Sequence, residues 1–209
     1  LRLPRTADRR VVPMAADAGN EARATYREEL DRVVLLNPAF SLGFSTANGT
    51  LLSLHHSQTQ VELVDSADAA AHGFLWRLEI AAQSGDRVFV TSRDCAEFTY
   101  SIGYHRHHGN LRLWLQWSGL RAGADKIDGR VTAQITFPAH APTALSDAEI
   151  QLPGHLSARS FAFPGICGLR SPDVLGEDAL FLPLSGGMLL RDPCSVLRSH
   201  PESGWQVVY

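Results

Sequence analysis

The sequence has no long apolar run, and neither sign of charge is in clear excess. Its apolar stretches are short and interrupted, far below the roughly 20 residues that a membrane-spanning helix needs. The 19 Lys and Arg residues against 22 Asp and Glu residues give a formal net charge of -3. Because nucleic acids and anionic membranes bind strongly basic surfaces, this balance argues against both as partners. The arginines of Leu1–Arg10 are not followed by the apolar segment of a secretory signal. The location of the protein, secreted or cytoplasmic, stays open.

Cysteine is scarce, with only Cys95, Cys167 and Cys194 in the chain. An odd number permits at most one disulfide and leaves at least one free thiol. None of the three lies in a Cys-x-x-Cys pair, so no thiolate metal site is predicted. We expect small buried side chains at these positions, and their disulfide state stays open.

Complete catalytic motifs are also missing. The chain contains neither the Gly-x-Ser-x-Gly motif of a nucleophile elbow nor a glycine-rich phosphate loop. The imidazoles of His105, His107 and His108 lie close in sequence, but Gly109-Asn110 marks this segment as a hairpin loop, and no Cys or acidic residue is near. A solvated turn is therefore favoured over a metal site. The sequence predicts no catalytic residue, no metal and no cofactor for this chain.

Alternation of apolar and polar residues dominates the chain from Asn37 onwards. Its 44% apolar content is enough for one sizeable core. Phe40–Ser45 alternates with the period of a half-buried strand, and Asn48-Gly49 is a strong hairpin signal. About ten to twelve such strands, at spacings of roughly 8 to 15 residues and with almost no amphipathic helix between them, predict an all-β antiparallel sandwich or barrel. Further predicted strands are Thr50–His55, Val61–Val64, Phe74–Ile80, Arg87–Thr91, Glu97–Ile102, Leu111–Trp117, Val131–Phe137, Ser157–Phe163, Leu180–Leu184, Gly187–Arg191 and Trp205–Tyr209.

The N-terminal segment differs from the rest of the chain. Residues 1–20 are rich in Arg, Ala and Asp without any period, which predicts a poorly ordered leader. Glu21–Val34 combines good helix formers with Glu and Arg at helical spacing, which predicts a short helix, although Val33–Leu36 can equally begin a first strand. We therefore divide the chain into a leader, residues 1–36, and a β-sandwich domain, residues 37–209.

The strand Leu111–Trp117 carries the candidate binding residues. Its leucines and Trp117 share one face, while Arg112, Trp114 and Gln116 lie on the opposite face. If that face is solvated, a Trp flanked by hydrogen-bonding groups can stack on a sugar ring. If a second sheet covers it, Trp114 only packs, and large sandwiches often bury both faces of a strand. Arg112, Trp114 and Gln116 are therefore the predicted carbohydrate-binding residues.

Several segments of the chain follow one another in a characteristic order. They are Asn37–Phe44, Asn48–Leu54, Leu75–Glu79, Leu111–Trp117, Val131–Phe137, Phe161–Ile166, Asp178–Pro183 and Gly186–Pro193. This order resembles the galactose-mutarotase-like β-sandwich at the N-terminus of several large glycoside hydrolases. It is similar in particular to uncharacterised proteins whose sandwich precedes a (β/α)8 barrel related to endo-α-N-acetylgalactosaminidases. The resemblance covers residues 37–209.

The resemblance implies an antiparallel β-supersandwich that is an accessory layer of a carbohydrate-active enzyme. The catalytic carboxylates would then belong to a C-terminal (β/α)8 barrel of the same chain, and the sandwich would support the barrel and contribute to glycan contacts. Trp205–Tyr209, an apolar strand without a closing turn, adds the expectation that the parent protein continues beyond Tyr209. Two alternatives stay open: an aldose 1-epimerase-like enzyme that uses His55 or His56 with Glu97, and a stand-alone carbohydrate-binding module.

Overall fold

A computed structural model of the chain describes residues 24–82, 86–104, 109–123, 125–139, 141, 143–170, 179–182 and 188–191. These residues form strands joined by turns, with one short helix, α1 (Ser66–His72). The strands are β1 (Thr25–Glu28), β2 (Arg32–Leu36), β3 (Phe40–Ser45), β4 (Leu51–His56), β5 (Val61–Glu62), β6 (Arg77–Ala82), β7 (Arg87–Thr91), β8 (Cys95–Tyr104), β9 (Leu111–Ala122), β10 (Asp125–Phe137), β11 (Leu145–Gln151), β12 (Leu156–Ala162), β13 (Ala179–Leu182) and β14 (Met188–Arg191). The prediction of an all-β, antiparallel, sandwich-like fold is confirmed.

The strands form four antiparallel sheets in the described part of the chain. One sheet is a five-stranded meander in the order β1-β2-β3-β4-β5, and another has the order β11-β10-β9-β8. The third sheet has the order β12-β6-β7, and β13 pairs with β14 as the predicted C-terminal hairpin. Strand β11 lies in a stretch for which the sequence predicted no strand, and the predicted strand Trp205–Tyr209 lies outside the described residues.

The helix predicted over Glu21–Val34 is wrong for the residues of this stretch that the structure describes. Thr25–Glu28 pairs with Val33–Leu36 as an antiparallel hairpin, which agrees with the alternative of a strand that includes Val33–Leu36. Burial explains the outcome, because Val33 and Leu35 alternate along β2 and both join the main core. The sheet therefore begins before Asn37, where we expected the sandwich to start, and the leader prediction for residues 1–20 lies outside the described residues.

The hairpin predicted at Asn48-Gly49 is confirmed between β3 and β4. Gly49 has a φ of 75°, in the left-handed region that favours glycine, and its N–H donates to the carbonyl of Ser45 at 3.0 Å. The turn packs closely on Trp117 of β9, whose Nε1 donates to the carbonyl of Asn48 at 2.8 Å. This contact joins the five-stranded sheet to the four-stranded sheet.

The main hydrophobic core of the described residues lies between the sheets. The inward side chains of β9 and β10 meet buried residues of β2, β3, β6 and β7, and aromatic contacts connect the layers. Phe40 packs edge-on against Phe137 with ring centroids 4.8 Å apart, and Trp76 packs edge-on against Trp117 at 5.8 Å. Since alternate residues of β9 and β10 point into this core, the remaining residues of both strands point away from it.

Candidate functional site

The side of the four-stranded sheet that points away from the core is called the outer face here. Its residues are polar except for Trp114, Leu145 and Gly103. Trp114 is 38% exposed, so no second sheet buries it. The solvent exposure that a binding role of Arg112, Trp114 and Gln116 requires is therefore present at Trp114. Read from β8 through β9 and β10 to β11, the register places these residues in four rows: Gly103, Arg112, Thr136, Leu145; Ser101, Trp114, Gln134, Asp147; Thr99, Gln116, Thr132, Glu149; and Glu97, Ser118, Arg130, Gln151.

The indole of Trp114 lies across the sheet. Its Nε1 donates a hydrogen bond to Oε1 of Gln134 on β10 at 3.0 Å. The six-membered ring reaches toward β8, since a Cβ atom built on Gly103 would lie 3.2 Å from Cζ3 and 3.6 Å from Cη2 of the indole. Because β8 and β10 flank β9 on opposite sides, the ring extends from Gln134 toward Gly103, across the direction of β9. The side chain is 38% exposed, so part of its surface is open to solvent.

Gln134 and Gly103 hold this orientation in different ways. The Gln134 amide is itself oriented, because its Nε2 donates to Oγ1 of Thr136 at 3.3 Å. Gly103 has no side chain, so the ring can approach the backbone of β8 closely. Gln116 lies in the row beyond Trp114, between Thr99 and Thr132, and this row places hydrogen-bonding groups along one side of the indole.

Arg112 lies on the other side of the indole, two residues along β9. Its row neighbours are Gly103 and Thr136, neither of which carries a charge. The Nε atom of Arg112 is buried and has no hydrogen-bond partner within the residues that the structure describes. None of the ion pairs found in that part of the chain includes Arg112. The side chain is half-buried, and its charge has no protein counterion there.

The histidines and the glutamate of the epimerase alternative lie on two different sheets. His55 and His56 lie on β4, in the five-stranded sheet, and Nδ1 of His56 faces Oγ1 of Thr59 at 2.9 Å within the following turn. Glu97 lies on β8, where its Oε2 accepts a hydrogen bond from Ser118 at 3.1 Å. No hydrogen bond or ion pair among the described residues joins Glu97 to either histidine, so the structure does not assemble an acid–base pair from them.

The described ranges contain no group of three or more His, Cys, Asp or Glu side chains that could hold a metal ion. The histidines at 105, 107 and 108 lie outside those ranges. Within the ranges, no helix has the length and apolar character that crossing a membrane requires. Cys95 and Cys167 are free thiols, and Cys194 lies outside the described residues. Burial, followed by the charge of Asp94, raises the pKa of Cys95 to about 12, so this thiol is not a reactive thiolate.

Sequence reasoning did not find Gln134 and Gly103 as parts of the site. The alternation of Val131–Phe137 implies that Gln134 points away from the core, but it contains no information on which residue of β9 lies opposite. That pairing depends on the register between β9 and β10. Gly103 carries no signal of its own, because a glycine in the alternating pattern of β8 does not reveal which side chain lies over it.

No protein-family model matches this chain, and no curated protein matches it. The resemblance to galactose-mutarotase-like domains therefore rests on the order of the strand segments alone, and the candidate site rests on its geometry.

Proposed function

We propose that the outer face of the four-stranded sheet binds carbohydrate, with a sugar ring stacked on Trp114 and its hydroxyl groups bonded by Arg112 and Gln116. The observation that carries the proposal is the position of the indole, which is 38% exposed and is held between Gln134 on one neighbouring strand and Gly103 on the other. A pyranose presents an apolar C–H face and a rim of hydroxyl groups. A flat aromatic ring surrounded by polar side chains complements both features.

The polar surroundings of Trp114 distinguish this surface from a protein-docking patch. A protein interface buries an apolar centre, whereas the residues next to Trp114 in its row are Ser101 and Gln134. Single-stranded nucleic acids also stack on exposed aromatic rings, but they need a positively charged groove. The charged residues of the outer face are Arg112, Arg130, Glu97, Asp147 and Glu149, so the cations do not outnumber the anions.

The proposed role is that of a non-catalytic β-sandwich in a carbohydrate-active enzyme, where it contributes glycan contacts and supports a catalytic (β/α)8 barrel of the same protein. This role is supported by the order of strand segments that resembles such sandwiches. The glycan-binding surface is the part of the role that the described residues support through their geometry. A stand-alone carbohydrate-binding module would use the same surface.

The test of carbohydrate binding is a glycan array probed with the whole chain and with Trp114→Ala. We expect the substitution to weaken binding at least about tenfold, equivalent to about 1.4 kcal/mol, because the stacking face is lost. Phe89→Ala is the matched control, since Phe89 is a 54% exposed aromatic residue on β7, in the three-stranded sheet. Binding by the Trp114 variant at the level of the parent chain, or no glycan bound by the parent chain, would contradict the proposal.

The supporting role has its own candidate surface on β7. This strand lies at the edge of the three-stranded sheet, and its Val88 and Phe89 are 36% and 54% exposed. The guanidinium of Arg77 lies 4.2 Å from the centroid of the Phe89 ring and forms a cation–π contact. An edge strand with exposed apolar side chains is a typical contact surface for another domain.

Hydrogen exchange tests this second surface. The amides of β7 should exchange more slowly in the longest natural protein that contains this chain than in residues 1–209 alone. The amides of β11, at the edge of the four-stranded sheet, serve as the internal control. Equal exchange of β7 in both proteins would contradict a contact at this strand.

A further inference from the structure

Arg112 lies where a substituent of a sugar stacked on Trp114 would reach it. The two residues are next-but-one neighbours on β9 and share the outer face, so their Cα atoms are roughly 7 Å apart. Gly103 and Thr136, on either side of Arg112, are small or short residues, and the indole of Trp114 reaches toward Gly103, so the ring extends toward the row of Arg112. A ring substituent that projects along β9 from the stacked sugar therefore points toward the guanidinium.

Among the residues that the structure describes, none compensates the charge of Arg112 in its neighbourhood. In the sheet register, Asp147 lies two strands and one row away from Arg112. At ordinary sheet spacings this is a Cα separation of roughly 12 Å. Glu149 is one row farther, and Glu97 is three rows away and hydrogen-bonded to Ser118. The separation from Asp147 exceeds the screening length of about 8 Å at physiological ionic strength, so these carboxylates neutralise Arg112 only weakly.

The hydrogen-bonding capacity of Arg112 is also not exhausted by the described residues. A guanidinium carries five N–H donors, and the Nε–H of Arg112 has no acceptor among those residues. A cation with unused donors next to a binding surface is suited to an oxyanion. Its planar fork matches the paired oxygens of a carboxylate or a sulfate, which a neutral hydroxyl does not offer.

We infer that the carbohydrate bound at this face is an acidic saccharide, whose ring stacks on Trp114 and whose carboxylate or sulfate pairs with Arg112. The inference rests on the proposed function, because it names the class of sugar for the same site. A neutral glycan would offer the guanidinium only hydroxyl groups, which do not match its planar fork with two paired oxygens.

The test compares acidic oligosaccharides with their neutral forms by titration calorimetry. Hexameric oligogalacturonate is paired with its methyl ester, and a κ-carrageenan oligosaccharide with its desulfated form, so that the two pairs distinguish a carboxylate from a sulfate. We expect at least a tenfold preference for the acidic member of one pair. Because one ion pair is formed, the preference should decrease between about 20 mM and 150 mM salt.

Two variants assign the preference to Arg112. Arg112→Gln should abolish the preference while the neutral form still binds, and Arg112→Lys should retain only part of it, because lysine lacks the planar fork. Arg130→Gln is the control with the same change in net charge on the same face, two rows from Trp114, and it should retain the full preference. Circular dichroism melting establishes that each variant is folded.

The outcomes separate the inference from the proposed function. The acidic and neutral forms could bind equally well, with both lost in Trp114→Ala. That result overturns the inference of an acidic ligand and leaves the proposal of carbohydrate binding intact. An equal loss of both forms in Arg112→Gln also overturns it, because Arg112 would then act as a general contact. If no oligosaccharide binds and the glycan array is empty, the proposed function itself fails.

Discussion

The indole Nε1 of Trp114 and the amide oxygen of Gln134 are joined by a hydrogen bond of 3.0 Å that runs from β9 to β10 across the outer face. This bond holds one end of the ring, and the close approach to Gly103 positions the other end. The stacking surface is thus oriented before a ligand arrives. Orientation in advance lowers the entropic cost of binding.

Replacing Gln134 with Ala should weaken glycan binding about fivefold, equivalent to about 1 kcal/mol, because the ring loses its anchor. The free energy of unfolding should fall by no more than about 2 kcal/mol, since two hydrogen bonds are lost, the one from Trp114 and the one to Thr136. Calorimetric titration and urea unfolding measure the two effects. Gln151→Ala is the control, because Gln151 lies on the same face and bonds to Glu149. If both variants bind glycan as the parent chain does, Gln134 has no orienting role.

Replacing Gly103 with Ala should tilt the indole away from the sheet. The added Cβ would lie 3.2 Å from Cζ3 of Trp114, and an exposed ring can move by the few tenths of an ångström required. We expect stability to change little, because alanine also restricts the unfolded chain. Glycan affinity should fall, and the Nε1–H resonance of Trp114 should shift in an NMR spectrum. An unchanged resonance and unchanged affinity would show that the ring does not depend on this glycine.

Replacing Gly49 with Ala should destabilise the protein by about 3 kcal/mol. Two costs add at this position: a φ of 75°, and a Cβ that would lie 2.7 Å from Cζ2 of buried Trp117. Gly123→Ala separates them, since Gly123 has a φ of 63° and nothing within 4 Å of an added Cβ. The free energy of unfolding of the Gly123→Ala variant should fall by only about 1 kcal/mol. Urea unfolding checks both values, and equal losses would show that the contact with Trp117 adds no cost.

The carboxylate of Asp65 should contribute to stability at neutral pH and lose that contribution in acid. Its Oδ2 accepts a hydrogen bond from Arg170 at 2.5 Å, and its Oδ1 caps α1 through the N–H groups of Ala67 and Asp68. The bond from Arg170, followed by the bond from Asp68, lowers the pKa of Asp65 below its ordinary value. A lowered pKa in the folded state means that the contribution is complete above about pH 4 and disappears as the pH falls through the folded-state pKa.

Asp65→Ser tests this pH dependence, because serine still caps the helix but cannot pair with Arg170. The urea midpoint of the parent chain should exceed that of the variant at pH 7. The difference should shrink as the pH is lowered from 4 to 2. A difference of the same size at pH 7 and pH 2 would show that the charge of Asp65 does not stabilise the fold.

The strands were predictable where one face of each is buried, and less so elsewhere. Alternation marks β9 and β10 clearly, because their inward residues, from Leu111 to Phe137, are almost fully buried. Strand β11 lies at a sheet edge and is mostly exposed on both faces, so its sequence, LSDAEIQ, carries little alternation. In β1 and β2, pairing in the sheet overcame a local preference for helix, which a short segment cannot express without tertiary support.

The sequence by itself determined that Arg112, Trp114 and Gln116 share the face of β9 opposite its leucines, because side chains of a strand alternate with a period of two. Only the tertiary structure decided that this face is open to solvent. The same structure placed Gln134 beside the indole and Gly103 beneath it. Both facts depend on the register of β8 and β10 against β9 and on which sheet packs on which. Such pairings join residues that are distant in the chain, and no local pattern encodes them.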